Sequence, residues 1–287
     1  MRTSAHSGCE ALVVNRGWRV RVPASSANLG SAFDALAVAL DTHLEVSDAG
    51  DRPAPETHPA VRAFRGAGGE GPLFVEARFP GGRGLGFSGA ARVAGLLAAR
   101  VQRDESSRDD RREVLHSATE LEGHADNVAA SLHGGVVAVA AGRAVRVPLG
   151  RDLAVVVWIP DRETATTSAR RLLPDQVPFD DAAFNVGRAT LLVAALASGD
   201  SSALRVGTED RLHQDRRLAR NHDTRLAIDA LLAAGAYAAW LSGSGPTAAA
   251  FVDPARAVAI AASLPAGGRA RVLAIADEGA TVRNSES

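Results

Sequence analysis

The chain contains no lysine: all 32 of its basic residues are arginine. A P-loop needs a lysine to reach the terminal phosphates of a nucleotide, so that class of site is excluded. Cys9 is the only cysteine, which rules out an internal disulfide and fits a reducing compartment. Aromatic residues make up 4% of the chain, so alanine, valine and leucine must build its core. The net charge is −1, which leaves no basic surplus for nucleic acid or an anionic membrane surface. The longest apolar run, Ala230 to Leu241, is shorter than the ~20 residues a bilayer span requires. Residues 1–16 do not resemble a signal peptide. These absences lead us to expect a soluble, cytoplasmic protein without nucleic-acid or membrane partners.

What is present is a mixed pattern over 287 residues, enough for one large domain or two moderate ones. Trp18 to Pro23 alternates like a strand and runs into a small polar loop, Ala24 to Gly30. Leu44 to Val46 and Leu73 to Phe79 read as strands, with a short helix around His58–Arg65 between them. A small-residue helix is expected from Ala90 to Arg103, then a charge run to Glu113 and a helix from Val114 to Glu122. Val128 to Leu132 reads as a short apolar turn, and Val136–Ala140 and Leu153–Ile159 as strands. Beyond them the pattern predicts helices over Ser168–Leu173, Asp181–Ala197, Thr208–Arg220, Arg225–Gly235 and Ala255–Leu264. Strands are expected over Tyr237–Leu241, Ala248–Val252 and Arg269–Ala276. Strands and helices mix in both halves, which predicts an α+β or α/β fold. The expected boundary lies near Gly150, giving units 1–150 and 151–287.

The most telling segment is Pro80-Gly-Gly-Arg-Gly-Leu-Gly-Phe-Ser-Gly-Ala-Ala91. Glycines let several backbone N–H groups turn to one point, and the following helix adds its positive dipole end. That combination is an anion site, and phosphate is the usual anion. Gly84 to Gly89 also fits Gly-x-Gly-x-x-Gly, with Asp104 about twenty residues on. In a dinucleotide-binding unit that acid ends a second strand, whereas Asp104 lies in the charge run. Pro80 to Arg83 also separates the loop from its strand, so this context argues against a Rossmann unit.

Taken together, Pro80 to Ala91, the block Pro23-Ala-Ser-Ser-Ala-Asn-Leu-Gly30 with Phe33-Asp34, and Leu241-Ser-Gly-Ser-Gly-Pro-Thr247 resemble the GHMP kinases. Glu122-Gly-His-Ala-Asp-Asn127 with Gly134-Gly135 is similar to a block of the bacterial homoserine kinase family. So are Ala169 to Pro174, Phe184 to Arg188 and Asp210 to Arg217. The resemblance implies an α+β fold, with an N-terminal domain like ribosomal protein S5 domain 2 and a ferredoxin-like C-terminal domain. It implies ATP and Mg²⁺ as cofactors and L-homoserine as substrate, which would receive the γ-phosphoryl group in threonine biosynthesis. A homodimer is common in the family.

By the same resemblance, Pro80, Arg83, Gly84, Leu85, Gly86, Phe87, Ser88, Gly89, Ala90 and Ala91 would hold the nucleotide. Ser88 and Glu120 would share the metal, with Glu122 as second choice. Asn28, Asp34, His124, Asn127, Arg170, Arg217 and Gly243 would bind substrate. The arginines suit a carboxylate fork and Asp34 an ammonium. Asn127, Asp126, Ser88 and Glu120 would carry catalysis, Asn127 by hydrogen bonding in the transition state. A chain without lysine cannot have the Lys/Asp pair of mevalonate kinase; the resemblance to homoserine kinases implies transfer without a dedicated base, the γ-phosphate itself being able to accept the proton. Four positions depart from the family pattern: Phe87 stands for a serine, Gly89 for an alanine, and Ser31-Ala32 for Pro-Gly. They leave open another GHMP acceptor, or a nucleotide-binding protein without transfer. The Phe87 ring would lie either on the adenine side or in the core.

Overall fold

A computed structural model describes residues 17–105, 111–161 and 169–284. Cys9, Ser168 and part of the charge run after Arg103 lie outside these residues. The first sheet has six strands, all antiparallel: β1 (Trp18–Ala27), β2 (Leu36–Ser47), β3 (Phe74–Ala77), β4 (Val136–Ala140), β5 (Arg143–Val147) and β10 (Thr281–Asn284). Their order is β10-β1-β2-β4-β5, with β3 also paired to β2. The second sheet has four antiparallel strands in the order β7 (Ala238–Leu241), β8 (Ala248–Val252), β6 (Ala154–Pro160) and β9 (Gly268–Ala274). The fold is therefore α+β. Its final strand returns to the first sheet beside β1, with Val20 opposite Val282.

Helices α1 (Pro59–Gly66), α2 (Phe87–Gln102), α3 (Arg111–Glu122) and α4 (Asp126–His133) belong to the first half. The second half adds α5 (Phe179–Ser198), α6 (Ser201–Gly207), α7 (Gln214–Leu218), α8 (His222–Ala233) and α9 (Ala257–Ala262). None of the helices among the described residues is long and apolar enough to cross a membrane.

Small residues decide how closely these layers approach. Ala90, Ala91, Ala94, Ala98 and Ala99 of α2 are fully buried, and α1 lies directly against that face. Gly95 is where the two helices come closest: a Cβ there would stand 2.1 Å from the Ala60 carbonyl oxygen. Strand β6 is buried on both faces, as its unbroken Val-Val-Val-Trp-Ile run suggests. Its period of two sends Val155, Val157 and Ile159 into the main core. Ala154, Val156 and Trp158 go into a second core with Ala227 and Leu231 of α8 and Ile260 of α9.

Several elements differ from the sequence reading, each for a tertiary reason. Ala24 to Ala27 continues β1 rather than looping, although alanine and serine have little strand preference. Pairing with Ala37–Leu40 and complete burial hold it extended. The register shift at Pro23/Ala24 falls where proline cannot donate a ladder bond. β2 is one twelve-residue strand in which Asp41 and Thr42 form the extra residues of that bulge. Val128–Leu132 is part of α4, and β5 and β10 are short and broken by polar residues, so neither reads as a strand. Of the helix expected over Thr208–Arg220 only α7 forms, because α6 ends before it at Gly207 and Glu209–His213 is a turn. Asp210 makes that break by accepting the N–H groups of Leu212, His213 and Gln214.

The contact at Gly95 yields a stability test. Gly95→Ala must move α1 off α2, and the expected loss is about 1–3 kcal/mol despite alanine's better helix propensity. Thermal melting checks this; an unchanged or raised midpoint would show that the helices are not held at this distance.

Candidate active site

Three backbone segments that are distant in sequence meet at one end of the first sheet and line a cavity of about 110 Å3. The first follows β1. Asn28, Leu29 and Asp34 all hold positive φ, of 73°, 42° and 54°. Asn28 is nearly buried and holds this turn with its side chain: Oδ1 accepts the Asp34 N–H at 3.0 Å and Nδ2 donates to the Gly243 carbonyl at 2.9 Å. The second is the loop before α2, and the third is the turn between β7 and β8. Ser242 joins the last two, its hydroxyl donating to the Gly84 carbonyl at 2.6 Å and lying 2.7 Å from Ser26 Oγ. Gly84 has no room for a side chain, since a Cβ would lie 2.3 Å from the Ser242 carbonyl oxygen.

Gly86 is the N-cap of α2 with φ 67°, and a Cβ there would strike Ser25 Oγ at 2.0 Å. The helix therefore begins three residues earlier than the sequence suggests and takes in Phe87, Ser88 and Gly89. Only the first turn of a helix has N–H groups without an intrahelical acceptor. Ala90 N–H is already bonded to the Gly86 carbonyl at 2.9 Å. The anion cradle is thus the amides of Phe87, Ser88 and Gly89, narrower than the ten-residue segment expected. Ala90 and Ala91 are corrected to core residues, each with no exposed surface. Pro80 is exposed and does not line the cavity, and Arg83 donates to the Pro160 carbonyl at 2.7 Å. Gly84, Leu85, Gly86, Phe87 and Ser88 do line it. The Phe87 ring forms its wall, edge-on to Phe79 and His58 at 5.8 and 5.7 Å.

The α3–α4 junction supplies the next groups. His124 Nδ1 lies 2.9 Å from Asp126 Oδ1, which also accepts the Asn127 N–H at 2.8 Å. Asn127 Oδ1 accepts the Ser25 hydroxyl at 2.9 Å, so its amide nitrogen is the group left for a ligand. Glu122 lines the cavity with only 9% of its side chain exposed, and its Oε1 is 3.6 Å from His124 Nε2. Glu120, the carboxylate preferred from sequence, does not reach the cavity. Its side chain is 68% exposed and pairs with His116 at 3.4 Å on the outer face of α3. Two residues along a helix turn the side chain through about 200°, which puts the two carboxylates on different sides of α3.

On the opposite wall Arg170 Nη2 lies 2.9 and 2.8 Å from the two Asp34 oxygens. Arg217 is 2% exposed, and its Nη1 donates to the Gly243 carbonyl at 3.1 Å. Burial and then the neighbouring Arg170 push its pKa down to about 10, against Asp34, Asp210 and Asp126, so it stays charged at neutral pH. Its Nε is buried without a hydrogen-bond partner. Both guanidinium groups stand over the Phe33 ring, at 5.6 Å for Arg170 and 5.3 Å for Arg217.

Sequence reasoning did not single out the residues that support this wall. His213 Nε2 lies 2.8 Å from the Gly30 carbonyl and its Nδ1 lies 3.3 Å from Arg217 Nη1. A carbonyl can only accept and a guanidinium can only donate, so the ring is the neutral Nε2–H tautomer. Burial holds the His213 pKa below its usual 6.5. Asn185 donates to the Ser31 carbonyl at 2.9 Å and to Asp210 at 2.8 Å, tying α5 to the turn after β1. Asn185, Asp210 and His213 all fall inside blocks that carry the family resemblance.

Comparison with known proteins shows the family. The profile of the GHMP kinases N terminal domain matches residues 57–135, and that of GHMP kinases C terminal matches residues 192–270. The homoserine kinase of Thermus thermophilus is 42% identical over 81% of this chain and 86% of its own length. That of Streptomyces coelicolor is 41% identical over 92% of this chain and 94% of its own. Among solved structures, the homoserine kinase from Cytophaga hutchinsonii superposes with a TM-score of 0.81 and 25% identity, covering 98% of this chain and all of that one. The L. major mevalonate kinase, solved with R-mevalonate, shares the fold at a TM-score of 0.63 and 17% identity, covering 91% of this chain and 95% of its own.

The buried neutral histidine sets a pH dependence. A proton binds His213 less well in the folded chain than in the unfolded one, so stability falls as pH drops through and below about 6.5. His43 and His58, lowered by burial as well, add to the slope. In urea melts between pH 8 and 5.5, His213→Gln should lose part of this slope while keeping a donor toward Gly30. A slope identical to the parent's would mean that His213 takes up its proton in the folded state.

Proposed function

The chain belongs to the GHMP kinase family and within it to the homoserine kinases, and we propose from that membership how its residues share the work. The enzyme transfers the γ-phosphoryl group of ATP to the side-chain hydroxyl of L-homoserine. The observation that carries the residue assignment is that one cavity holds an anion cradle, a polar His-Asp-Asn cluster and an Asp–Arg pair backed by a buried arginine.

Homoserine presents an ammonium and a carboxylate on one carbon. The Asp34–Arg170 pair offers the complementary charges, so the substrate can enter by substituting into an existing ion pair, its ammonium on Asp34 and its carboxylate on Arg170. Arg217 adds a second, desolvated cation for the carboxylate, which is worth more there than at the surface. Asn28 and Gly243 position these groups through the shared Gly243 carbonyl. The triphosphate occupies the N-terminus of α2, where the amides of residues 87–89 meet it. Asn127 Nδ2 donates to the phosphoryl group as charge develops on it, held by Ser25 so that it does not have to reorient. Catalysis is then chiefly positioning and charge stabilisation, with the γ-phosphate accepting the hydroxyl proton. His124 is oriented by Asp126 and borders the same space.

Ser88 Oγ and the Glu122 carboxylate are hard oxygen donors facing one position, which fits Mg²⁺. Among the described residues no cluster of three or more His, Cys, Asp or Glu side chains could hold a metal alone. Two protein ligands completed by phosphate oxygens and water is the arrangement Mg²⁺ favours. The ion would neutralise the phosphate oxygens between which charge shifts. A cytoplasmic location belongs to the same reading.

ADP release that depends on both L-homoserine and Mg²⁺ tests the assignment. Glu122→Gln should lower kcat/KM about a hundredfold or more, as expected for loss of a transition-state charge contact, while Glu120→Gln stays within about twofold. The reverse order would return the metal to Glu120. Arg217→Lys should raise the homoserine KM about tenfold or more with the ATP KM unchanged, because an ammonium cannot reproduce the fork. A change in the ATP KM instead would move Arg217 to the phosphate side.

A further inference from the structure

One charged group stands among the reacting parts without a role. Arg92 lies one turn along α2 from Ser88, and its Nη1 donates to Ser88 Oγ at 2.6 Å. The same Nη1 is paired with the Glu122 carboxylate. A single guanidinium therefore bridges the two side chains that the reading above gives to Mg²⁺. The position is unfavourable for a cation in itself: Arg92 is largely buried and faces Arg62 across the α1–α2 contact, and both effects lower its pKa. Glu122 is the compensation, since a carboxylate 9% exposed is costly to leave without a positive partner.

We propose that Arg92 is a built-in stand-in for the metal. This rests on Ser88 and Glu122 being the metal-facing pair. In the nucleotide-free enzyme the guanidinium neutralises Glu122 and holds Ser88 and Glu122 turned toward one point. When nucleotide brings Mg²⁺, both oxygens pass to the ion, and Arg92 stays one helical turn from the phosphates as a second cation. Two consequences follow. Free divalent ions bind the empty enzyme weakly, because they must first displace a tethered cation from both of their protein ligands. ATP without metal still binds, because a positive group remains beside the phosphates.

The test compares the parent enzyme with Arg92→Gln and Arg92→Lys. Mn²⁺ binding without nucleotide is read by electron paramagnetic resonance, and ATP binding with Mg²⁺ or with EDTA by calorimetry. Arg92→Gln should bind free Mn²⁺ about tenfold more tightly and metal-free ATP about tenfold more weakly, with Mg·ATP affinity within about threefold of the parent. Arg92→Lys keeps the charge and should hold the parent's Mn²⁺ affinity within about threefold. Unchanged Mn²⁺ affinity in Arg92→Gln would overturn the proposal. Equal weakening of Mg·ATP and metal-free ATP would overturn it as well, making Arg92 an ordinary phosphate contact. Should Arg92→Gln fail to fold in a melting control, tighter Mn²⁺ binding in Arg92→Lys alone would refute the idea. Absence of Mg·ATP binding to the parent would instead refute the placement of the nucleotide itself.

Discussion

The carbonyl of Gly243 is the point on which the site depends. It accepts from Asn28 Nδ2 at 2.9 Å and from Arg217 Nη1 at 3.1 Å, while the Gly243 N–H donates to the Ala27 carbonyl at 3.0 Å. One residue therefore joins the end of β1, the turn between β7 and β8, and the arginine of α7. A few ångströms away Ser242 ties the same turn to Gly84, and Trp240 Nε1 donates to Ser26 Oγ at 3.0 Å. Backbones can approach this closely only where side chains are absent, which is why glycine recurs in each segment. The cavity is what remains between them.

Burial around this junction sets the electrostatics. Arg217 and His213 sit side by side almost without solvent, and they coexist because only one carries charge. His213 stays neutral and accepts; Arg217 stays charged and donates. Asp210 is saturated by three backbone N–H groups and Asn185, so it acts as a structural cap rather than a second partner for substrate. Asp34 and Arg170 are more open, and their pairing is the one that a zwitterion can exchange. Pre-formed cations against a rigid aromatic face spare the cost of ordering them on binding.

Much of this was legible in the sequence. Strands β6, β7 and β8 show as short unbroken apolar runs because both their faces are buried, and β4 and helices α1, α5 and α8 show in apolar spacing and turn residues. The glycine loop, the His124–Asn127 block and the two arginines show through their motifs. Other features left no local sign. Ala24–Ala27 has the composition of a loop and becomes a strand because β2 pairs with it. β10 is rich in polar residues and forms because β1 offers an edge. Arg92 reads as a surface arginine until α3 brings Glu122 over it.

The sequence by itself determined the chemical kit: no lysine for a P-loop or a Lys/Asp pair, glycines for an amide cradle, arginines for a carboxylate, a family pattern running from Pro23 to Thr247. The tertiary structure alone decided which members of that kit face the cavity. It put Glu122 on the cavity and Glu120 in solvent, began α2 at Phe87, turned Phe87 onto Phe79 and His58, and set Arg92 between Ser88 and Glu122. Residue type and spacing specify what a side chain can do. Which way it points is settled by packing, where a step of two residues along a helix is the difference between solvent and substrate.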